Sequence, residues 1–388
     1  MKVLVLGPYP SGLAPSQRFR FEQYLDLVQN VDFKQIGFWR KDEWPRIYED
    51  GSIKYKVLRT IGGFWRRLLL LAQVSNYNKV FIHREATPIG PPWFEWAVAK
   101  VFRKPIIFDF DDAIWLPNSS KANERTAGKL KFHGKTAKIC SWATTVVTGN
   151  KFLSEYARQY CEDVRIIPTT IDTKGHHNPD LYIRRGSKWI KKGEAVNGLS
   201  APSYQLSADR LESDKLVTIG WTGTHSTLKQ LTPLFPVLEE VYRTHPFRFL
   251  LIADVPPESM PDFVEFRKWK KKTEIEDLLE IDIGVMPLYN TEWEKGKCGF
   301  KALQYMALGI PTIVSKVGAN LDIIGENEFG LIAEEMPLNN SVLWQKNIFN
   351  LLDDHSLRNG LGIKGKERIL DKYSILSNKK SFVSLFWS

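Results

Sequence analysis

Short apolar runs alternate with helically spaced segments along most of the chain. Val and Leu fill "KVLVLG" (2–7), and "PYPSGLAPS" follows, which reads as a buried strand entering a Gly/Pro-rich loop. In "SQRFRFEQYLDLVQ" (16–29) the residues Phe21, Tyr24, Leu25 and Val28 share one helical face. The same alternation recurs. "KVFIHRE" (79–85), "KPIIFDFDDAIW" (104–115), "ATTVVTGN" (143–150) and "DVRIIPTTID" (163–172) read as strands, with helical segments near 92–102 and at "KFLSEYARQYC". From about 173 the pattern lapses into polar, basic sequence with scattered turn residues. It resumes at "KLVTIGWTGTHST" (215–227), continues through the strands "FRFLLIAD", "IDIGVMPL" and "FGLIAEE", and places a charged helical stretch near 262–272.

Alternation of this kind predicts βαβ units and parallel sheets. The expectation is an α/β chain of two Rossmann-like doubly wound domains facing a cleft: residues 1–172, a linker with an insertion at 173–215, and residues 216–373. A last helical segment covers 374–388. Ligands are expected at the carboxyl ends of the strands.

A length of 388 residues suits two domains, and 43% hydrophobic with 25% charged residues is an ordinary soluble composition. The longest apolar run, "LLLLAQV" (68–74), is far too short to span a bilayer. The N-terminus lacks the form of a signal peptide. The three cysteines have neither metal spacing nor an even number for disulfides, so a reducing cytoplasm is the simplest compartment. The net charge of +10 is uneven: residues 1–172 carry +9, 173–215 carry +3 and 216–388 carry −2. A basic first half suits an anionic partner, such as a membrane surface, or is merely a solvated surface. Nucleic acid has no supporting module of stacking aromatics. The stretch "FWRRLLLLAQV" (64–74) reads either as the helix preceding the strand "KVFIHR" or as a face that touches lipid.

Candidate chemistry gathers at the strand ends. "IGWTGTHSTLK" places Gly223, Thr224 and His225 between a strand and a helix, where free amides favour anions, or where a plain turn suffices. If a helix begins near Gly299, then Lys297, Lys301 and Gln304 lie on one stripe beside it, either as a diphosphate site or as a solvated basic face. "FDFDDAIW" ends a strand with Asp111 and Asp112, which can bind sugar hydroxyls, act as a base, or cap the next turn; no carboxylate–histidine cluster completes a metal site. His83 and Arg84 end another strand, and Arg18 and Arg20 open the first helix, where guanidinium groups suit phosphate or carboxylate, or surface ion pairs.

These motifs resemble those of glycosyltransferase family 4. The resemblance runs through "KVLVLGPYP", "VVTGNKFLSEYA", "VRIIPTTID", "DIGVMPLYN", "GFKALQYMALGIPTIVSKVGANLDII" and "ENEFGLIAEE". It implies the GT-B fold, a retaining transferase, a nucleotide-sugar donor on the second domain, a glycan or lipid-linked acceptor on the first, and no required metal or other cofactor. It also implies that the last helical segment, 374–388, returns to the first domain. Taken with the cysteine usage and the basic first half, the expectation is a cytoplasmic enzyme, peripheral on the inner face of the membrane, of cell-surface polysaccharide or glycoconjugate synthesis. The family's paired glutamates fall here at Gly296 and Gln304, its diphosphate-gripping arginine and lysine at Trp221 and Lys229, and its histidine at Asp111. A catalytically silent binder of nucleotide or glycan is the alternative these departures raise.

Overall fold

The computed structural model describes residues 1–48, 53–117, 132–185, 188–193, 216–338 and 341–387. Most of the expected linker insertion, 194–215, lies outside the described residues. The chain divides into two compact units. The first comprises Met1–Thr170, Thr291–Cys298 and Lys372–Ser388; the second comprises Ile171–Asn290 and Gly299–Asp371. The C-terminal helix therefore belongs to the first unit. So do residues 291–298, although in sequence they lie between a strand and a helix of the second.

The first unit holds a parallel sheet of six strands: β1 (Lys2–Gly7), β2 (Asp32–Gly37), β3 (Lys79–His83), β4 (Ile106–Phe110), β5 (Thr145–Thr148) and β6 (Val164–Ile166). Their order is β2-β1-β3-β4-β5-β6. Both faces are covered, so the central strands carry consecutive apolar residues, not alternating ones, with Asp109 and His83 near their carboxyl ends. Val3, Val5, Phe81 and Ile107 face a core completed by Phe21, Tyr24 and the last helix, Ile375–Trp387. There the rings of Tyr24 and Phe382 stack with centroids 4.5 Å apart. Leu4, Leu6, Val80, Ile82 and Phe108 face the opposite core with Leu70, Phe94 and Leu153.

An antiparallel hairpin of β7 (Tyr182–Arg185) and β8 (Lys188–Lys191) opens the second unit, in a stretch expected to be linker. The unit's main sheet contains β9 (Thr218–Thr222), β10 (Arg248–Ala253), β11 (Val264–Lys268), β12 (Ile283–Met286), β13 (Thr312–Ser315) and β14 (Leu331–Ala333), in the order β11-β10-β9-β12-β13-β14. The stretch expected to be a charged helix near 262–272 is in fact β11. It is an edge strand, and its Glu265 and Arg267 satisfy one another and Glu280 along the solvated side. β2 carries no run that marks it in sequence, because it too is an edge strand with only partial burial.

Each strand order reverses direction at one point, between β1 and β3 in the first sheet and between β9 and β12 in the second. In open α/β sheets, ligands bind beyond the carboxyl ends of the strands at such a switch point.

Candidate active site

In the first unit the carboxyl ends of β3 and β4, with the helix that follows β1, gather a chain of charges. Arg20 lies in a π-turn, Arg18–Glu22, within that helix. Its guanidinium donates to a carboxylate oxygen of Asp109 and to the backbone oxygen of Ile167. The other oxygen of Asp109 lies 2.6 Å from His83 Nδ1. All three side chains are buried. Burial alone pushes the Asp109 carboxyl up, but the Arg20 charge and the His83 hydrogen bond outweigh it and hold it below the ordinary range. Asp109 is thus a carboxylate, and His83 Nδ1 carries the shared hydrogen.

One layer nearer solvent, Arg84 adopts φ +61°, a conformation a non-glycine residue rarely takes. Its amide donates to Asp109 O at 2.7 Å. The turn aims its guanidinium across the sheet end, where Nε lies 2.8 Å from Asp111 Oδ1 and NH2 bonds Asp112. Lys297 Nζ is 3.9 Å from the remaining oxygen of Asp112. Burial raises the Asp112 carboxyl, but Arg84 and Lys297 bring it below its ordinary value, so it acts as an acceptor and not as an acid. Asp111, Asp112, Arg84, Arg20 and His83 thus lie together at the strand ends, and Lys297, expected on a stripe of the second domain, joins them instead. Arg18 is not in this cluster; its guanidinium lies 4.8 Å from the Phe19 ring.

The segment 291–298 is secured by a residue the sequence reading did not single out. Asn150 caps the helix Lys151–Ala157, its Oδ1 accepting from Leu153 N at 2.9 Å. Its Nδ2 donates to Gly296 O at 3.0 Å and Lys297 O at 3.1 Å. Cys298 Sγ donates to Asp111 O at 3.2 Å, and burial pushes this thiol up to about 12, so it stays neutral. A Cβ on Gly296 would stand 2.8 Å from both the amide nitrogen and the Cβ of Ala113. At the position where the resemblance expects an acid, the backbone leaves no room for a side chain.

In the second unit the loops after β9 and β12 flank the switch point. The anion-binding reading of the first loop meets a correction. Gly223 N donates to Ile252 O at 3.0 Å, Thr224 N to Thr227 Oγ1 at 3.0 Å, and His225 N to Asp254 Oδ1 at 2.6 Å. The backbone of β10, a capping box and an acid just after β10 thus each take one of these three amides. Asp254 also accepts from His225 Nδ1 at 2.6 Å. Lys229 is exposed farther along the helix His225–Leu231.

The expected stripe of Lys297, Lys301 and Gln304 is also corrected. The helix Phe300–Ala307 starts only after Gly299, which is left-handed at φ +67°. That turn breaks the helical spacing, so Lys297 is not one turn below Lys301. Lys301 lies with its ammonium 5.3 Å from the ring of Trp221, an indole wholly buried in β9. Gln304 is 3% exposed, with Nε2 3.2 Å from His177 Nε2 and 3.5 Å from Glu274 Oε1, so it faces the interior instead of solvent.

Tyr305, one residue on, reaches back to the site. Its hydroxyl accepts from Thr222 N at 2.8 Å and fixes the end of β9, and Gly284 makes room for the ring. Tyr305→Phe leaves that buried N–H unsatisfied and is expected to cost about 1–3 kcal/mol, read as a lower midpoint in chemical denaturation.

Residues 216–354 match the family described as "Glycosyl transferases group 1". They therefore carry a glycosyl transferase domain, and it spans both loops of the second switch point. No protein with a curated description matches this sequence. Solved structures share the fold across the whole chain. Sucrose-phosphate synthase from Thermosynechococcus elongatus superposes with a TM-score of 0.64 at 14% identity, covering 100% of this chain and 98% of that one. A glycosyltransferase from Rickettsia africae gives 0.63 at 13% identity, covering 99% and 97%. HepE of Anabaena, in complex with UDP-glucose, gives 0.62 at 12% identity, covering 100% and 99%. The α/β architecture of two parallel-sheet units is thus the one these transferase structures share.

Proposed function

We propose that the protein is a retaining glycosyltransferase. It moves a sugar from a nucleoside-diphosphate sugar to a glycan or lipid-linked acceptor in cell-surface polysaccharide or glycoconjugate synthesis, on the cytoplasmic side of a membrane. The observation that carries this reading is the match of 216–354 to a transferase family, over a sheet whose strand order reverses between β9 and β12. In this proposal Lys229 and Lys301 offset charge on the departing nucleoside diphosphate, the electrostatic contribution that is usually largest in catalysis. No metal or other cofactor is invoked. Asp112, held ionised by Arg84 and Lys297, accepts a hydrogen bond from a reacting sugar hydroxyl, and Asp111 orients Arg84. Support also comes from HepE, whose structure holds UDP-glucose.

The test is turnover with a panel of nucleotide sugars and cell-envelope acceptors, read by product mass, with the anomeric configuration of the product read by NMR. A single preferred donor and an axial-to-axial or equatorial-to-equatorial outcome are expected. Asp112→Asn is expected to lower kcat by about 10²-fold. Nucleotide binding without turnover of any donor would favour the silent binder instead, and no binding of any nucleotide or glycan would sink both readings.

A further inference from the structure

The helix Ile53–Leu71 precedes β3 and packs on the first sheet through Gly63, Arg67 and Leu70. That confirms one of the two readings of this stretch. The other concerns its outer side. Ile53, Val57, Ile61, Trp65 and Leu68 recur at helical spacing, with Leu58 and Leu69 alongside, and all seven are exposed. Exposure reaches 77% at Ile53, 67% at Leu58 and 60% at Trp65. A water-facing surface helix normally carries its polar residues here. This one instead places its charges toward the flanks and the protein: Arg66 and Arg59 pair with Glu43, and buried Arg67 donates to the backbone oxygens of Ala86, Gly7 and Ile36. A run of exposed apolar residues of this extent marks an interaction surface.

The charges identify the partner. The helix holds Lys54, Lys56, Arg59, Arg66 and Arg67 and no acid; Arg67 is buried and Arg66 pairs with Glu43, so Lys54, Lys56 and the exposed Arg59 supply the border of the apolar face. The sequence just before it balances Arg40, Lys41 and Arg46 against Asp42, Glu43, Glu49 and Asp50, so the excess of positive charge belongs to the helix itself, which Arg46 approaches at the Tyr55 ring. An apolar face with a cationic border and a tryptophan on it matches acyl chains beneath anionic headgroups. Two copies of the same face would oppose like charges. Five cations in 19 residues are too many for a membrane-crossing helix, and among the described residues no helix is long and apolar enough to cross a bilayer.

We infer that the helix Ile53–Leu71 is a docking face by which the first unit binds the surface of an anionic lipid bilayer. This specifies the membrane association included in the proposed function. The contact requires neither donor nor acceptor, so its failure leaves the transfer chemistry separately testable.

The full chain is mixed with vesicles of phosphatidylcholine alone, or of phosphatidylcholine with phosphatidylglycerol, and bound protein is measured by flotation. Binding is expected to the anionic vesicles, weakening as salt rises. The double variant Ile61→Glu with Trp65→Glu is expected to bind about tenfold more weakly or worse, with circular dichroism and nucleotide binding as in the parent. Lys54→Glu is expected to lose only the salt-sensitive part. Equal binding by parent and double variant overturns the inference. So does a parent that ignores vesicles, or one whose mass in light scattering is that of a dimer and falls to a monomer in the double variant.

Discussion

Replacing Asp109 by Ala is expected to destabilise the first unit by about 3–5 kcal/mol, because it leaves Arg20 as an uncompensated buried charge. Arg20 lies beneath the sheet end, out of reach of water. Burial works against its charge, and Asp109 more than restores it, raising the guanidinium above its ordinary value. His83 loses its partner in the same step. Urea denaturation followed by circular dichroism measures the effect. Asp109→Asn keeps the shape but not the charge, and is expected to fall between parent and Ala. Because the carboxyl's folded value lies below its unfolded one, its contribution is present above the unfolded carboxylate range near pH 4. It is lost as pH falls through the lower, folded value. The parent should therefore lose stability on acidification below about pH 4 more steeply than Asp109→Ala. Parallel acid profiles for the two would mean the pair contributes nothing.

Gly296→Glu is expected to abolish ordered seating of the 291–298 segment without adding any catalytic acid. The new Cβ would meet the backbone of Ala113, which is itself buried against the first sheet. Neither side can yield as the end of a flexible chain can, and overpacking of this kind costs about 1–3 kcal/mol. The three successive carbonyl oxygens near Asn150 would shift with it. Turnover is expected to drop at least tenfold, and proteolysis at 291–298 to accelerate. A variant that gains activity would show that an acid belongs there and that the glycine is a loss. Gly296→Ala separates the clash from the charge, since the methyl group alone makes the same contact.

Much of the fold was legible because the central strands are buried on both faces and read as short runs of consecutive, mostly apolar residues. The edge strands escaped for the opposite reason. β2 and β11 are half exposed, and β11 mixes Glu265, Arg267 and Lys268 into a pattern that resembled a charged helix. At the site, residue types at strand ends were readable, so Asp111, Asp112, His83 and Arg84 could be named. Their pairing was not, since Arg20 and Asp109 are 89 residues apart. The expected stripe failed twice: the left-handed Gly299 separates Lys297 from the helix, and Gln304 turns inward to His177 and Glu274. Helical spacing presumes a continuous helix, and Lys297 lies before the start that Gly299 marks. Asp254 and Asn150 each act through the backbone of a distant loop, and no local pattern reports such a bond.

The first unit draws on three stretches of sequence, and this bears on how such a chain can be reshuffled in evolution. A gene crossover near residue 170 would transplant the sheet without Phe382 and Phe386, which cover one of its faces, and without the carbonyls that Asn150 binds. A single recombination point therefore cannot exchange this unit for a relative's. Inheritance of a new first unit requires the sheet, the short segment after β12 and the terminal helix to be replaced together, or each to be compatible with its new neighbours residue by residue.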